Sequence, residues 1–258
     1  MTELSIIIVS YNARADLEHC LESLAAAPPK APHETIVVDN ASADGSADVA
    51  REAGVRVLEA GDNVGFARAN NLGIRASSGA NLLLLNSDTI VPPGAIDTLL
   101  AEVAADPSVA VAGPRLVDAA GHPELSFGPM IGPINEMRQQ WRAARNVTAL
   151  TAVRSYPDWV SGACLLVRRS DAEAVGLLDE RFFMYTEDVD FCASIRARGR
   201  RVLFTPAAEV VHLRGRSRAT APAATERAYR RSQVAFYEKH HPGWVPLLKA
   251  YLALRGRR

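Results

Sequence analysis

The sequence predicts an α/β protein built on a mostly parallel sheet flanked by helices, and three features carry that expectation. Short, almost unbroken apolar runs (LSIIIV, TIVV, NLLLL) alternate with stretches of helical periodicity. That is the pattern of strands buried on both faces beneath crossover helices. Three of these runs end in polar or acidic residues: Ser10-Tyr11-Asn12, Asp39-Asn40 and Asn86-Ser87-Asp88. In an open parallel sheet those are the strand ends where ligands bind. Finally, 258 residues of which 48% are hydrophobic suffice to bury a core without disulfide staples.

Taken in order, Leu4–Val9 reads as the first strand. Ala13–Ala26 reads as a helix, because Leu17, Cys20, Leu21 and Leu24 fall on one stripe. Thr35–Val38 and Val55–Leu58 are the next strands, Phe66–Ala76 a helix and Asn81–Leu85 the fourth strand. Pro92-Pro93 is expected to open a helix running to about Ala105, proline being tolerated in a first turn. Val109–Val117 reads as a strand. Residues 118–158, with Gly, Pro, a QQWR stretch and weak periodicity, are expected to form a long, partly helical excursion. A strand at Ala163–Val167, a helix from about Asp188 to Arg198, strands at Arg201–Phe204 and Glu209–Leu213, and helices at Glu226–His240 and Trp244–Leu254 complete the chain. With no internal repeat, the expected organisation is one domain over 1–240, its halves meeting near 117, followed by a basic amphipathic tail at 241–258.

Several classes are excluded. The three cysteines (Cys20, Cys164, Cys192) are odd in number and widely spaced; they form neither a disulfide framework nor a zinc site, which favours a reducing, cytoplasmic setting. No basic stretch precedes the first apolar run, so no signal peptide is expected. No run approaches the roughly 20 apolar residues of a membrane span. The formal net charge of zero hides an asymmetry: from Arg196 onward 15 Lys and Arg face 3 Asp and Glu, whereas residues 1–195 hold 14 and 26. Acidic groups in front and basic groups behind fit a cation-dependent site and an anionic partner surface. No nucleic-acid module accompanies the basic tail, so nucleic acid is not an expected partner. Neither G-x-x-x-x-G-K-[ST] nor G-x-G-x-x-G is present.

Asp88 follows LLLL directly. Burial there penalises a carboxylate unless a cation or hydrogen bonds compensate, and a hard divalent ion takes such oxygen ligands together with substrate phosphates. Helix capping is the competing reading. Asp39 equally caps a turn in DNASADGS, a stretch rich in turn formers.

The segments SIIIVSYNA, VVDNASADGS, NVGFARANNLGI, LLLLNSDT, WVSGACLLVRR, DERFFMYTEDVDFCASIRARG and VVHLRGRS occur in that order. Together they resemble family 2 glycosyltransferases of the GT-A fold, especially the bacterial rhamnosyltransferase-like branch, over roughly residues 4–240. The resemblance implies an inverting, Mg2+- or Mn2+-dependent transfer from a nucleotide sugar to a cell-surface glycan or lipid-linked precursor. The branch favours dTDP-L-rhamnose; a UDP-sugar donor, or a non-catalytic sugar-nucleotide-binding role, is the alternative. A nucleotidyltransferase is disfavoured, because no Gly-rich, lysine-bearing loop follows the first strand.

The resemblance sets Asp39 and Asn40 at the pyrimidine base, with Ser10, Tyr11 and Asn12 lining the nucleotide. It puts Arg68 and Asn71 along the sugar-diphosphate path. Asn86-Ser87-Asp88 stands where the fold normally carries Asp-x-Asp, with Asp88 and His212 as the implied metal ligands. Asp188 is the implied catalytic base and Glu187 positions the acceptor; a helix N-terminus there is expected to depress the aspartate pKa. Trp159, Ser161 and Gly162 fall on the acceptor side, the aromatic to stack on sugar and the glycine to admit close approach. In the tail, Trp244, Val245, Leu248, Tyr251, Leu252 and Arg255 fall on neighbouring helical positions, and Leu247 and Leu254 extend the apolar side. Lys249, Arg255, Arg257 and Arg258 supply positive charge, which reads as an interfacial helix for peripheral attachment to the inner face of the membrane. A helix packed on the domain is the alternative.

Overall fold

The apolar runs of the first half lie side by side in the computed structural model, which describes residues 2–132, 146–213 and 222–255. Strand β1 (Leu4–Ser10) pairs in parallel with β2 (His33–Asp39) and with β4 (Asn81–Asn86), and β3 (Arg56–Glu59) lies parallel outside β2. Every residue of β1 is buried, because the period-2 alternation sends its side chains into two cores on opposite faces. Ile6 and Ile8 meet α1 (Arg14–Ala26), α2 (Ser46–Glu52) and α4 (Ala95–Ala105). Ile7 and Val9 face α3 (Phe66–Ala76) and the helix that carries Phe191 and Ile195.

Beyond β4 the sheet becomes mixed. Strand β10 (Cys164–Arg168) runs antiparallel to both β4 and β6 (Val109–Val117). Strand β6 is parallel to β11 (Arg201–His212), and β11 is antiparallel to the two-residue β5 (Thr89–Ile90). The order is β3-β2-β1-β4-β10-β6-β11-β5, with β7 (Pro123–Glu124) attached to β6. A separate ribbon joins β8 (Phe127–Gly128) to β9 (Trp159–Val160).

Four boundaries differ from the sequence expectation. The strands expected at 201–204 and 209–213 are one strand, whose register shifts between Thr205 and Glu209 where Pro206 interrupts the ladder. Pro92-Pro93 do not open α4; the helix starts after Gly94, whose φ of 79° supplies the reversal. A short helix, α5 (Arg169–Ala174), follows β10 unannounced. The excursion contributes β7 and β8, while its QQWR stretch lies outside the described residues.

Helix α6 (Glu187–Ala197) covers the sheet beside α3. Helix α7 (Pro222–His240), a 3-10 turn at Pro242–Trp244 and α8 (Val245–Arg255) follow β11. They build a third core, in which Phe236, Tyr237 and Leu248 pack on Phe182 and Val189.

Candidate active site

The parallel register sets Ser10 beside Asp39, so β1 and β2 end together. Past them, Asn12 adopts a left-handed φ of 49°. Its Oδ1 accepts the Ala43 N–H at 2.8 Å, and its own N–H donates to Ser42 Oγ at 3.0 Å. Asp39 Oδ2 accepts the Ser42 N–H at 3.1 Å. Its Oδ1, and Ser10 Oγ, are buried with no hydrogen-bond partner. A buried acceptor left unmatched is costly, and here it marks where an N–H donor fits. Tyr11, next in sequence to Ser10, is half-exposed.

The other residues expected along the nucleotide have different employment. Asn40 Nδ2 donates to Asn63 Oδ1 at 2.9 Å and its Oδ1 accepts the Val64 N–H at 2.9 Å, so its amide shapes the 62–65 loop. Asn71 bonds both the N–H and the carbonyl of Leu178, at 3.1 and 2.8 Å, and reaches Glu180 at 3.0 Å. It ties α3 to the second half of the chain. Arg68 lies on the exposed side of α3, 3.8 Å from Glu180. Asn70, which the sequence did not single out, is fully buried with its Oδ1 unpartnered.

Pairing of Thr89 with His212 between β5 and β11 brings the loop after β4 against the end of β11. The Leu213 N–H donates to the Asp88 carbonyl at 2.8 Å. Asp88 Oδ1 lies 3.3 Å from His212 Nε2, and Glu124 Oε2 lies 3.4 Å from His212 Nδ1. Glu124 was also missed; a two-residue strand inside an irregular excursion leaves no local signal. Burial pulls the His212 pKa down, but hydrogen bonds and charge from Asp88 and Glu124 outweigh it and raise the pKa to about 9. Burial opposes the Asp88 charge, yet the His212 bond still holds its pKa below the ordinary carboxylate value.

The pair suits a divalent ion. Mg2+ binds ligands at ~2.1 Å in octahedral geometry, which sets neighbouring donors about 3 Å apart, close to the observed 3.3 Å. Among the described residues no group of three or more His, Cys, Asp or Glu side chains is placed to hold a metal ion. Asn86, the departure from Asp-x-Asp, keeps a buried Oδ1 free of protein partners beside Asp88. Loading the ion requires His212 to give up its proton.

Opposite this loop the chain makes a strained turn. Tyr185 and Thr186 both hold left-handed φ values, 72° and 65°, immediately before α6; such residues cost on the order of 1–3 kcal/mol each. Asp188, in the first turn, accepts the Gly162 N–H on Oδ2 and the Val189 N–H on Oδ1, each at 2.8 Å. Two glycines make the approach possible. A Cβ on Gly162 would lie 3.3 Å from the Asp188 Cβ, and one on Gly65 (φ 86°) only 2.5 Å from the Phe183 carbonyl. That carbonyl accepts the Phe66 N–H at 2.6 Å, closing the turn on the start of α3.

The pKa expectation for Asp188 is corrected. Burial pushes it up, and the Gly162 and Val189 N–H bonds offset this only in part. Burial, and then the charge of Asp188, push Glu187 well above the usual range; one of its carboxylate oxygens is buried without a partner. Desolvation outweighs the helix N-terminus. Of the residues expected on the acceptor side, Trp159 donates Nε1–H to the Pro129 carbonyl at 2.9 Å and packs between two cores. Ser161 donates its N–H to Ser126 at 2.8 Å. Of these three residues, Gly162 is the one that touches Asp188.

Asp39 and Asp88 at the ends of parallel strands, with Glu187 and Asp188 at the start of α6, sit on a sheet of the GT-A glycosyltransferase fold. Solved structures of glycosyltransferases carry the same fold. A mannosyltransferase from Pyrobaculum calidifontis, PcManGT, in complex with GDP-Man and Mn2+, superposes with a TM-score of 0.68 at 19% identity over 96% of this chain and 68% of its own. GalNAc-T7 with UDP, GalNAc and Mn2+ gives 0.64 at 18% identity over 82% and 44%. Residues 5–158 match glycosyl transferase family 2 and residues 82–257 match glycosyl transferase family group 2. The chain belongs to glycosyl transferase family 2. It is 34% identical over 281 aligned positions, 98% of this chain and 91% of the relative, to the N-acetylglucosaminyl-diphospho-decaprenol L-rhamnosyltransferase of Mycobacterium tuberculosis.

Proposed function

We propose that this glycosyltransferase moves L-rhamnose, with inversion, from dTDP-L-rhamnose to a polyprenyl-diphosphate-linked acceptor bearing N-acetylglucosamine. The observation that carries the reading is the near-complete match to a relative named as an L-rhamnosyltransferase of N-acetylglucosaminyl-diphospho-decaprenol. The site supplies compatible chemistry. Asp39 Oδ1, buried and unpartnered, is suited to accept the N3–H of a thymine or uracil, with Ser10, Tyr11 and Asn12 around it. Asp88 and His212 would hold Mg2+ or Mn2+. When bound, that ion offsets charge on the departing diphosphate.

Asp188 takes the proton of the acceptor hydroxyl as its oxygen bonds the anomeric carbon and the bond from that carbon to the diphosphate oxygen breaks. Glu187, beside Asp188 and raised in pKa by burial, positions the acceptor. The test is transfer by the purified protein to polyprenyl-diphospho-N-acetylglucosamine, with dTDP-L-rhamnose compared with UDP-hexoses. A lipid product heavier by one deoxyhexose, with equimolar dTDP, is the expected result. Transfer from a UDP-sugar alone would reassign the donor, and donor binding without turnover would leave a binding protein.

A lipid-linked acceptor also gives the tail a role. Val245, Leu248 and Leu252 pack into the third core. Trp244, Leu247, Tyr251 and Leu254 form a second stripe on the outside, 49%, 62%, 50% and 70% exposed. Among the described residues no helix is long and apolar enough to cross a membrane. We infer that the exposed stripe lies on the cytoplasmic face of an anionic bilayer; Lys249 pairs with Glu238 at 2.9 Å, and Arg257 and Arg258 lie outside the described residues. Leu248 belongs to the core, so truncating the tail would damage the fold; charging the outer stripe is the cleaner probe. Full-length protein should float with anionic vesicles in a salt-sensitive manner and with neutral vesicles poorly. The doubly substituted Leu247→Glu, Leu254→Glu protein should stay behind at unchanged melting temperature. Flotation equal for both proteins would remove the stripe from membrane binding.

A further inference from the structure

Two consecutive left-handed residues do not hold themselves, and the contacts that hold Tyr185 and Thr186 come largely from one helix. On the near side of the turn, Ser232 of α7 is buried and donates Oγ–H to the Met184 carbonyl at 2.6 Å. Tyr229, one turn earlier, meets the Tyr185 ring edge-on at 6.0 Å between centroids. On the far side, Asp190 is 2% exposed and is gripped by the end of α7: Lys239 Nζ donates to Oδ2 at 2.9 Å and His240 Nε2 lies 2.6 Å from Oδ1. Lys239 also bonds Asp179 at 2.9 Å, so the segment before the turn is tied to the same ammonium. The Asp190 N–H donates to the Thr186 carbonyl at 2.9 Å, which links the clamped carboxylate directly to the strained residue.

We infer that α7 is a brace that keeps the turn in its left-handed form, with Ser232, Lys239 and His240 as positioning residues for Asp188. Relaxing either φ to an ordinary value would rotate the peptides that enter α6 and swing Asp188 off the Gly162 N–H. Packing of Phe236 and Tyr237 on Phe182 and Val189 supplies general cohesion. The polar grips differ in kind, because they act on the backbone carbonyl just before the turn and on a buried carboxylate in the first helical turn after it. The brace rests on the assignment of Asp188 as base; it adds the reason why a helix remote in sequence is needed for turnover.

The experiment combines brace variants with relief of the strain they oppose. Glycine occupies left-handed φ without steric penalty, so Thr186→Gly removes much of what the brace has to hold. In the wild-type background, Lys239→Met and Ser232→Ala should each lower kcat by about tenfold, the factor ~1.4 kcal/mol represents, with donor KM within about twofold. In the Thr186→Gly background the same changes should cost about twofold or less, a coupling that mere loss of stability would not produce. Should Lys239→Met fail to fold, Ser232→Ala, which removes one hydroxyl, decides alone. Equal fold-losses in the two backgrounds, or unchanged kcat in the brace variants, would overturn the brace. Asp188→Asn assayed alongside separates the two ideas. Near-normal turnover there removes the base assignment, whereas lost turnover there with uncoupled brace variants removes the brace alone.

Discussion

Asp188→Asn should lower turnover by about a hundredfold or more, as loss of a general base does, while donor affinity stays within about threefold, under ~1 kcal/mol. The amide keeps the shape and one oxygen to accept from Gly162 or Val189, but it has no place for the acceptor proton. Because burial raises the Asp188 pKa, the acid limb of the wild-type rate profile should lie above the ordinary carboxylate region, with the rate rising as pH climbs through the raised value. Stability should move the opposite way. Glu187 and Asp188 bind protons more tightly folded than unfolded, so their contribution is greatest below the unfolded pKa values and is lost as pH rises through the folded ones. The Asn variant should therefore gain in melting temperature relative to wild type as pH rises from about 4 through the raised folded-state value. Turnover by dTDP release, donor titration and melting curves across pH check all three. Near-normal turnover would remove Asp188 from the chemistry.

What the sequence disclosed here was what periodicity encodes. The stripe Leu17, Cys20, Leu21 and Leu24 is the buried face of α1, α3 spans Phe66–Ala76 as expected, and Val109–Val117 is a strand to the residue. Direction was invisible: CLLVR is equally apolar whichever way it runs, and only its neighbours make β10 antiparallel. The site followed the same division. Polar endings after apolar runs marked Asp39 and Asp88, and the motif order marked His212 and Asp188. Glu124 and Asn70 matter through partners far along the chain, or through lacking them, which no local pattern records. The Asp188 pKa was misjudged for a related reason. A helix start is visible in sequence, whereas the burial that overrides it comes from packing. In the tail, periodicity found the apolar residues but not which of them face the core.

The metal-binding assignment makes a prediction of comparable size. Removing divalent ions with EDTA should abolish wild-type transfer, and Mn2+ or Mg2+ should restore it. With metal present, Asp88→Ala should weaken nucleotide-diphosphate binding and lower kcat/KM by about a hundredfold, ~2.7 kcal/mol, because in the proposed pair Asp88 would be the ligand that brings negative charge. His212→Ala should cost less, since water can fill a neutral ligand position. In EDTA the variants and wild type should bind the nucleotide alike; equal losses with and without metal would mark structural damage instead. The Asp88–His212–Glu124 arrangement also defines the opposing outcome sharply. A histidine held protonated between two carboxylates is itself a cation at the diphosphate. If that charge sufficed, EDTA would leave transfer intact and His212→Ala would be the more damaging of the two substitutions. Metal-independent turnover with that reversed ranking would remove the ion from the site and put the imidazolium in its place.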